Sequence, residues 1–422
     1  MRLNKIIFHI DVNSAFLSWE AVFRLHHKGG TLDLREVVSA VGGDMSLRHG
    51  IILAKSIPAK NYGIKTGETI IEAQRKCSKL ILVPPNYGLY EQCSEAFMNI
   101  LREYSDIVEQ YSIDEAFVDM TASCHLFGTP EDTAGQIKDR IKNELGFTVN
   151  IGISSNKLLA KMASDFKKPD RVHTLYPEEI QKKMWPLPVS ELFFVGRSTA
   201  QRLFTMGIHT IGELATVDPK LLRGIFKKQG DIIWGFANGI DLSPVLSVPP
   251  ANKGYGNSTT TPYDVTDTQT ARKVLLSLAE TVGCRLREDG VRAEVIAVGI
   301  RYSDLSYASH QKHLNSSTNL TIEIYNAACE LFAELWSGNP IRHLGIHTSK
   351  VQNDDFTRQL ELFDDTDYEK LAIMDDTVDA IRGRFGIDAV KRATFLNQPI
   401  DHMSGGISRE KRSVDYSRIT VL

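Results

Sequence analysis

Cysteine is scarce in this chain of 422 residues, and the cysteines that occur are scattered along it. The five are Cys77, Cys93, Cys124, Cys284 and Cys329. No two of them lie close together in the sequence, so their spacing favours neither a zinc site nor a disulfide framework. Because free thiols are typical of a reducing compartment, we expect a cytoplasmic protein.

Long hydrophobic runs are also absent from the sequence. The first apolar stretch is interrupted by Asp11 and is too short to cross a membrane. The interruption comes before any signal-peptide cleavage site, so we expect neither secretion nor contact with a membrane. The sequence contains no low-complexity segment and no long-period repeat. Its length and ordinary composition predict a globular protein of several domains.

The chain lacks a strong net charge of either sign. Its 49 basic and 52 acidic residues give a net charge of −3 at pH 7. The whole protein therefore provides no steering field toward nucleic acid, and binding to DNA must depend on local patches. The charge is uneven near the end of the chain. Residues 354–379 hold ten acids and two bases, whereas residues 380–422 hold eight bases and four acids.

Apolar patterning predicts strands and helices that are mixed without a regular βαβ alternation, which is typical of an α+β fold. A cluster of prolines in residues 168–188 predicts a linker, and a small helical unit follows it to about residue 239. Residues 242–257 are rich in Pro, Gly and Ser and predict a second break. A smaller α/β module is predicted beyond it. Its predicted strands are residues 293–302, 315–320 and 341–348.

Two acidic segments carry most of the chemical information. They are FHIDVNSAF at residues 8–16 and YSIDEAFVDM at residues 111–120, which place Asp11, Asp114 and Glu115 at the edges of apolar, β-prone stretches. One interpretation is that acids at strand ends are simply solvated. Burying a carboxylate is costly unless it is paired or bound to a metal, and two separate strands carry these acids. Hard oxygen ligands of this kind bind Mg²⁺ beside substrate phosphates, so we favour a metal site.

These two segments resemble the signature segments of the Y-family translesion DNA polymerases, the group that contains bacterial DNA polymerase IV and the catalytic subunit of polymerase V. The resemblance implies that Asp11, Asp114 and Glu115 are catalytic and bind two Mg²⁺ ions, and that the carbonyl of Val12 reaches one of them. One ion would act on the primer 3′-hydroxyl and the other would hold the triphosphate. Asn13 is not counted as a ligand, although many members of the family have Asp there.

The same resemblance implies roles for three residues at the nucleotide. Phe16 matches the steric gate, in which a ring under the sugar rejects ribonucleotides; core packing on an amphipathic helix is the alternative. Lys60, in PAKNYGIKTGE, falls in the finger motif that grips the triphosphate, where many members carry Arg. Lys168, in GISSNKLLAKMASDFKKPD, matches a lysine that touches the triphosphate. Ile57 replaces a Tyr that bonds the triphosphate in many members, which predicts a weaker grip.

Two further segments indicate contacts with macromolecules. LFFVGRSTAQRLFTMGIHTIGELA, at residues 192–215, is typical of a helix–hairpin–helix. The backbone near Gly196 and Arg197 is predicted to approach a DNA phosphate at a helix N-terminus; an ordinary helical hairpin is the alternative. QLELF fits the pattern with which bacterial polymerases bind the sliding clamp. By the resemblance its contact residues would be Gln359, Leu360, Leu362 and Phe363.

The resemblance implies a right-hand polymerase with palm, small fingers, a helical thumb and a separate α/β little finger. The predicted domains are palm at residues 5–11 and 80–168, fingers at 12–79, thumb at 169–240, little finger at 252–351 and a clamp-binding tail with a terminal segment at 357–422. It also implies a low-fidelity enzyme without proofreading that acts on primer-template DNA and deoxynucleoside triphosphates. We expect a monomeric core.

Two other functions remain open at this point. A palm-type nucleotidyl cyclase uses similar carboxylates, although it needs neither a helical hairpin nor QLELF. A DNA-binding or clamp-binding factor with a decayed site is the other alternative, which the departures at Ile57 and Asn13 leave open.

Overall fold

The computed structural model describes residues 5–43, 50–354 and 366–404. These residues form twelve β-strands and fourteen α-helices. The strands are β1 (Ile7–Val12), β2 (Ser39–Gly42), β3 (Ile52–Lys55), β4 (Ile81–Val83), β5 (Val108–Gln110), β6 (Glu115–Asp119), β7 (Val149–Ser154), β8 (Val172–Thr174), β9 (Gly256–Val265), β10 (Val291–Tyr302), β11 (Tyr307–Thr318) and β12 (Ile341–Asn353).

The helices fall between and after these strands. They are α1 (Ala15–His27), α2 (Ile57–Asn61), α3 (Ile70–Lys76), α4 (Tyr87–Arg102), α5 (Pro130–Leu145), α6 (Lys157–Ser164), α7 (Ile180–Lys183), α8 (Arg197–Thr205), α9 (Ile211–Thr216), α10 (Pro219–Phe226), α11 (Lys228–Ala237), α12 (Thr268–Glu288), α13 (Thr321–Leu335) and α14 (Tyr368–Phe385). Within the described ranges, every helix is too short or too polar to span a membrane.

Among the described residues, the sheet with the most strands has five, in the order β5-β6-β1-β7-β8. Strand β1 lies in the middle and pairs antiparallel with both β6 and β7. All six residues of β1 are buried, because helices cover both faces of the sheet. Strands β5 and β6 are antiparallel neighbours and form a hairpin around the acidic pair.

The two faces of β1 differ in chemistry because successive side chains point to opposite sides of a strand. Phe8 and Ile10 enter a large apolar core that also holds residues of α1, α4 and α5. His9 and Asp11 point to the other face, where α6 packs against β1 and β7. Each fully buried apolar side chain contributes about 2 kcal/mol to stability, so the apolar face fixes the strand and thereby the polar face.

Helix α6 approaches the sheet so closely that β7 needs a glycine. A Cβ atom placed on Gly152 would lie 1.9 Å from the carbonyl oxygen of Ala160 and 2.5 Å from the backbone nitrogen of Ser164. The opposite side of α6 contributes Leu158, Leu159 and Met162 to the core of the following helical unit. One short helix therefore joins the sheet to the helices α7–α11.

A second, three-stranded sheet has the order β3-β2-β4. Strand β2 pairs antiparallel with β3 and parallel with β4. Strand β4 lies in the part of the chain that the sequence predicts as palm, which begins again at residue 80. Because β4 pairs with β2, it belongs instead to the sheet formed by the predicted finger segment. The apolar pattern of a strand identifies the strand but not its pairing partner, which explains the difference.

The last unit is a four-stranded sheet in the order β11-β10-β12-β9, with α12 and α13 packed on it. Strand β9 begins inside the second predicted break, and most of β11 lies outside the predicted strand at residues 315–320. Both are polar edge strands, which give little apolar signal. Helix α14 packs back on α12. Two groups of ion pairs attach it and the residues after it to α12. Arg287 of α12 pairs with Asp375 and Asp379 of α14. Glu280 of α12 pairs with Arg382 of α14 and with Arg392 beyond its end. This part of the predicted tail is thus attached to the α/β module.

The contact between Gly152 and α6 predicts a large effect of a single methyl group. Gly152→Ala should lower the stability of the protein by about 3 kcal/mol, because the added Cβ overlaps backbone atoms that have no room to retreat. Thermal unfolding followed by circular dichroism measures this loss as a lower temperature of the first unfolding transition. Gly135→Ala on α5 is the matched control. A Cβ there meets no atom within 4 Å, so the helix should be unchanged or slightly more stable. Equal melting of both variants contradicts the prediction.

Candidate active site

The two acidic segments meet on adjacent central strands. Asp11 on β1 lies directly opposite Glu115 on β6 in the antiparallel register. Just beyond this pair, the backbone N–H of Val12 donates to the carbonyl oxygen of Asp114 at 3.0 Å. Residues about a hundred positions apart in the chain are therefore joined by the ladder of the sheet itself.

A cleft of about 270 Å³ opens above this strand end. Its lining comes from the end of β1, the start of α1, the acidic hairpin, β3 and the turn before α3. The lining residues are Asp11, Val12, Ser14, Ala15, Phe16, Leu53, Ala54, Lys55, Thr66 and Asp114. The predicted metal ligands Asp11, Val12 and Asp114 thus share one concave surface with the predicted sugar contact Phe16, which is the arrangement that a nucleotide site requires.

Two lysines face the carboxylates. Lys168 Nζ lies 2.9 Å from Asp11 Oδ2, and Lys161 Nζ on α6 lies 3.0 Å from Glu115 Oε1. Lys168 also reaches Asp165 at 2.9 Å. Asp114 is held differently, because the Ser112 hydroxyl donates to its Oδ1 at 2.7 Å. Each of the three acids therefore has a partner of its own.

A buried histidine lies beneath Glu115. The Nδ1 atom of His9 lies 2.8 Å from the hydroxyl of Ser164, which donates to the carbonyl oxygen of Lys161. Because that hydroxyl has given its only hydrogen away, it accepts from His9. The Nε2 atom then points toward Glu115 Oε2 at 3.7 Å, which is too long for a hydrogen bond.

The pKa values of the two facing acids move in opposite directions. Burial raises the pKa of Asp11 to about 7, although the Lys168 ammonium opposes that shift. Burial also acts to raise the pKa of Glu115, but the Lys161 ammonium at 3.0 Å opposes burial, and that pKa is lowered. Burial lowers the pKa of His9 to about 4, so the charge that faces Glu115 at neutral pH is that of Lys161. A cation in the cleft would favour the ionised form of Asp11.

The three acids are spread rather than clustered. In the part of the chain that the structure describes, the group whose ligand atoms all lie within 4.8 Å of one another is Asp388, Asp401 and His402, far along the chain. Asp11, Asp114 and Glu115 do not form so tight a group. Two metal ions about 4 Å apart need ligands over a wider area than one ion does. The spread of the three acids is therefore compatible with a two-ion site.

Phe16 has a rigid support. Its ring stacks on the ring of Tyr90, with centroids 4.4 Å apart and planes at 9°, and meets Tyr87 edge-on at 6.2 Å. The Tyr90 hydroxyl, at the far end of that ring, donates to Glu20 Oε1 at 3.2 Å. Phe16 packs against the core and also lines the cleft. Core packing and a role as steric gate therefore do not exclude each other.

The other predicted contacts lie in different places. Lys60 is exposed on α2 and is not part of the cleft lining. Gly196 is the N-cap of α8, where Arg197 begins the helix, and a Cβ on Gly196 would meet no atom within 4 Å. The segment with Gln359, Leu360, Leu362 and Phe363 lies outside the described residues.

Sequence reasoning missed the supporting residues of the site. Ser164 gave no signal that distinguishes it from an ordinary helix residue. Lys161 lies one helical turn after Lys157, and nothing in the sequence distinguishes the two lysines, although Lys157 pairs with Glu109 at 2.6 Å. Lys55 was read as part of a strand. The alternation of His9 with Asp11 along β1 is the one signal that pointed to a polar face.

Comparisons with known proteins agree with this architecture. A model of the impB/mucB/samB family matches residues 10–165, its C-terminal domain model matches residues 252–362, and the IMS family HHH motif matches residues 177–208. DNA polymerase IV of Clostridium acetobutylicum is 45% identical over 396 residues, which cover 94% of this chain and 99% of that protein. DNA polymerase IV 2 of Bacillus subtilis is 38% identical over 404 residues, 94% of this chain and 96% of that one.

A solved Y-family DNA polymerase chimera shares the fold, with a TM-score of 0.70 over 82% of this chain and 99% of that one at 24% identity. The fold and the carboxylate cleft thus define a right-hand polymerase. The chain belongs to the Y family of DNA polymerases, the translesion class, and is a DNA-directed DNA polymerase. This membership excludes a nucleotidyl cyclase.

The stacking of Phe16 on Tyr90 predicts how the enzyme chooses its sugar. Phe16→Ala should reduce discrimination against ribonucleotides by roughly a hundredfold, because the ring that would overlap a 2′-hydroxyl is gone. Single-nucleotide incorporation with matched deoxy- and ribonucleotides measures the ratio. Tyr90→Phe keeps the supporting ring and removes only its hydroxyl, so its sugar preference should equal that of the wild type. An unchanged preference in Phe16→Ala would show that the ring is not the gate.

Proposed function

We propose that the enzyme performs low-fidelity, template-directed DNA synthesis across damaged templates, with two Mg²⁺ ions held where β1 ends and β6 begins. The observation that carries the proposal is the register that joins Asp11 with Glu115 and Val12 with Asp114 beside a cleft lined by Phe16. Cytoplasmic location and a part in the SOS response to DNA damage belong to the same proposal.

The residues of the cleft fit magnesium. The donor set consists of the carboxylates of Asp11, Asp114 and Glu115 and the carbonyl oxygen of Val12, which are the hard oxygen ligands that Mg²⁺ prefers. The raised pKa of Asp11 also supports a cation there, since a nearby positive charge offsets the cost of burying an ionised carboxylate. Bound magnesium would supply Lewis-acid stabilisation of the attacking and leaving oxygens.

The protein itself positions and neutralises the substrate. Lys168 is about one-third exposed, so its ammonium group can exchange Asp11 for a phosphate of the incoming nucleotide. Together with Lys60 it would offset the charge that develops on the leaving pyrophosphate. Phe16 would hold the sugar at a fixed depth. The finger sheet is small, with three strands, which supports weak checking of base-pair shape.

Contacts with primer-template DNA would lie outside the cleft. The N-terminus of α8 at Gly196 leaves its backbone N–H groups open to a phosphate, and Arg197 beside it supplies a positive charge. We also propose that QLELF binds the sliding clamp, with Gln359 making hydrogen bonds and Leu362 and Phe363 filling an apolar pocket.

The acidic pair provides the direct test of catalysis. Asp114→Ala/Glu115→Ala should lower primer extension in Mg²⁺ by roughly a thousandfold, because two of the three carboxylate ligands are removed. Extension on a gel measures the loss, and primer-template binding by fluorescence anisotropy should stay within a few-fold of the wild type. Asp139→Asn, an exposed acid on α5, is the control and should extend normally. Normal extension by the double variant would refute the proposed site, and extension by neither protein would favour a decayed binding factor.

The clamp motif is tested separately. Replacing Gln359, Leu362 and Phe363 by alanine should leave extension of short primers intact and reduce stimulation by the clamp more than tenfold, because apolar anchors dominate such interfaces. Processivity on a long template, with and without clamp, measures the effect. Replacing Asp364 and Asp365 by asparagine changes neighbouring acids and serves as the control. Stimulation that is equal in both variants would remove QLELF from this role.

A further inference from the structure

Lys55 occupies a place in the cleft that the sequence did not indicate. It is the last residue of β3, in which Ile52 and Ala54 are buried and Lys55 is partly exposed. Both Lys55 and Thr66 line the cleft whose other wall carries Asp11, Asp114 and Phe16. The finger sheet therefore directs a positive charge at the surface that holds the carboxylates and the sugar contact.

The ammonium group of Lys55 has a hydrogen bond but no anionic partner in the described part of the chain. Its Nζ atom donates to Thr66 Oγ1 at 3.1 Å, and no described carboxylate forms an ion pair with it. Glu68 is an acid whose charge acts to raise the pKa of Lys55, but its carboxylate is paired with Lys76. A partly buried cation without an anion is unfavourable, so this position is suited to a negatively charged ligand.

The surroundings of Lys55 strengthen that conclusion. Burial lowers the pKa of Lys55, and the positive charge of nearby Lys60 lowers it further. Two like charges on the same finger segment repel each other, and an anion between or beside them would relieve both the repulsion and the loss of solvation. Lys60 itself is exposed and lies outside the cleft lining, whereas Lys55 lines the cleft.

We propose that Lys55 binds the polyphosphate of the incoming nucleotide from the finger side, and the pyrophosphate product after transfer. This inference rests on the proposed function. Lys168 would meet the phosphates from the palm side and Lys55 from the opposite wall. The Thr66 hydroxyl holds the Lys55 side chain in place, which reduces the entropy lost on binding. Lys55 thereby supplies a contact that Ile57 cannot make.

The test separates binding from catalysis. A primer that ends in a dideoxynucleotide prevents transfer, so the dissociation constant of the next complementary deoxynucleotide is measured in Mg²⁺ by fluorescence titration. Lys55→Gln should weaken this binding roughly tenfold, as expected for one lost charge-assisted contact. Lys55→Arg keeps the charge and should recover most of the affinity. Lys65→Gln, an exposed lysine outside the cleft lining on the same segment, should bind like the wild type.

Pyrophosphate identifies the part of the nucleotide that Lys55 contacts. Its competition against the bound deoxynucleotide should weaken in Lys55→Gln by about the same factor as nucleotide binding. Unchanged nucleotide binding in Lys55→Gln overturns the inference. So does weaker binding of primer-template DNA with normal pyrophosphate competition, which would indicate a contact with the template strand. A lower melting temperature with normal affinities would reduce Lys55 to a structural link with Thr66.

These measurements do not depend on turnover. If the wild type extends primers while Lys55→Gln binds nucleotide normally, the polymerase assignment stands and only the role of Lys55 is lost. If the wild type binds nucleotide through Lys55 but extends no primer, the proposed catalytic function fails and the binding site remains.

Discussion

The close approach of α6 to β7 is the constraint on which the site depends. Because Gly152 has no side chain, the backbone of α6 can lie against the sheet at Ala160 and Ser164. This distance allows Lys161 to reach Glu115 and Ser164 to reach His9. The far side of the same helix is buried in the helical unit. One short helix, packed on both sides, therefore fixes the positions of the sheet, the charged site and the helices α7–α11 relative to one another.

The electrostatic design of the site follows from that packing. Three carboxylates near one strand end repel each other, and the protein distributes them among different partners. Lys168 and Lys161 each pair with one acid, whereas a neutral hydroxyl from Ser112 binds the third. The partners come from elements that also meet the substrate cleft. Arrival of a cation or a phosphate would therefore redistribute existing ion pairs instead of creating charges in an apolar interior.

The sequence was informative where residue type alone implies chemistry. Asp11, Asp114 and Phe16 could be found because acids on apolar strands and a known signature are local features. The position of β4 could not be found, since a short apolar run does not specify its pairing partner. Strand β9 and most of β11 were missed because polar edge strands lack the apolar signal. Lys55 was missed because only the folded chain brings it to the cleft that Asp11 and Asp114 also line, and no local sequence pattern indicates that position.

Helix α14 has a consequence for the evolution of chain length in this family. Glu280 on α12 is almost fully buried between Arg382 and Arg392, and Arg287, two turns further along the same helix, is buried against Asp375. Loss of the terminal segment would remove the partners of both charges together with the atoms that cover them, so both side chains would become exposed. An exposed charge costs far less than a buried one, so the chain could shorten here without compensating substitutions on α12.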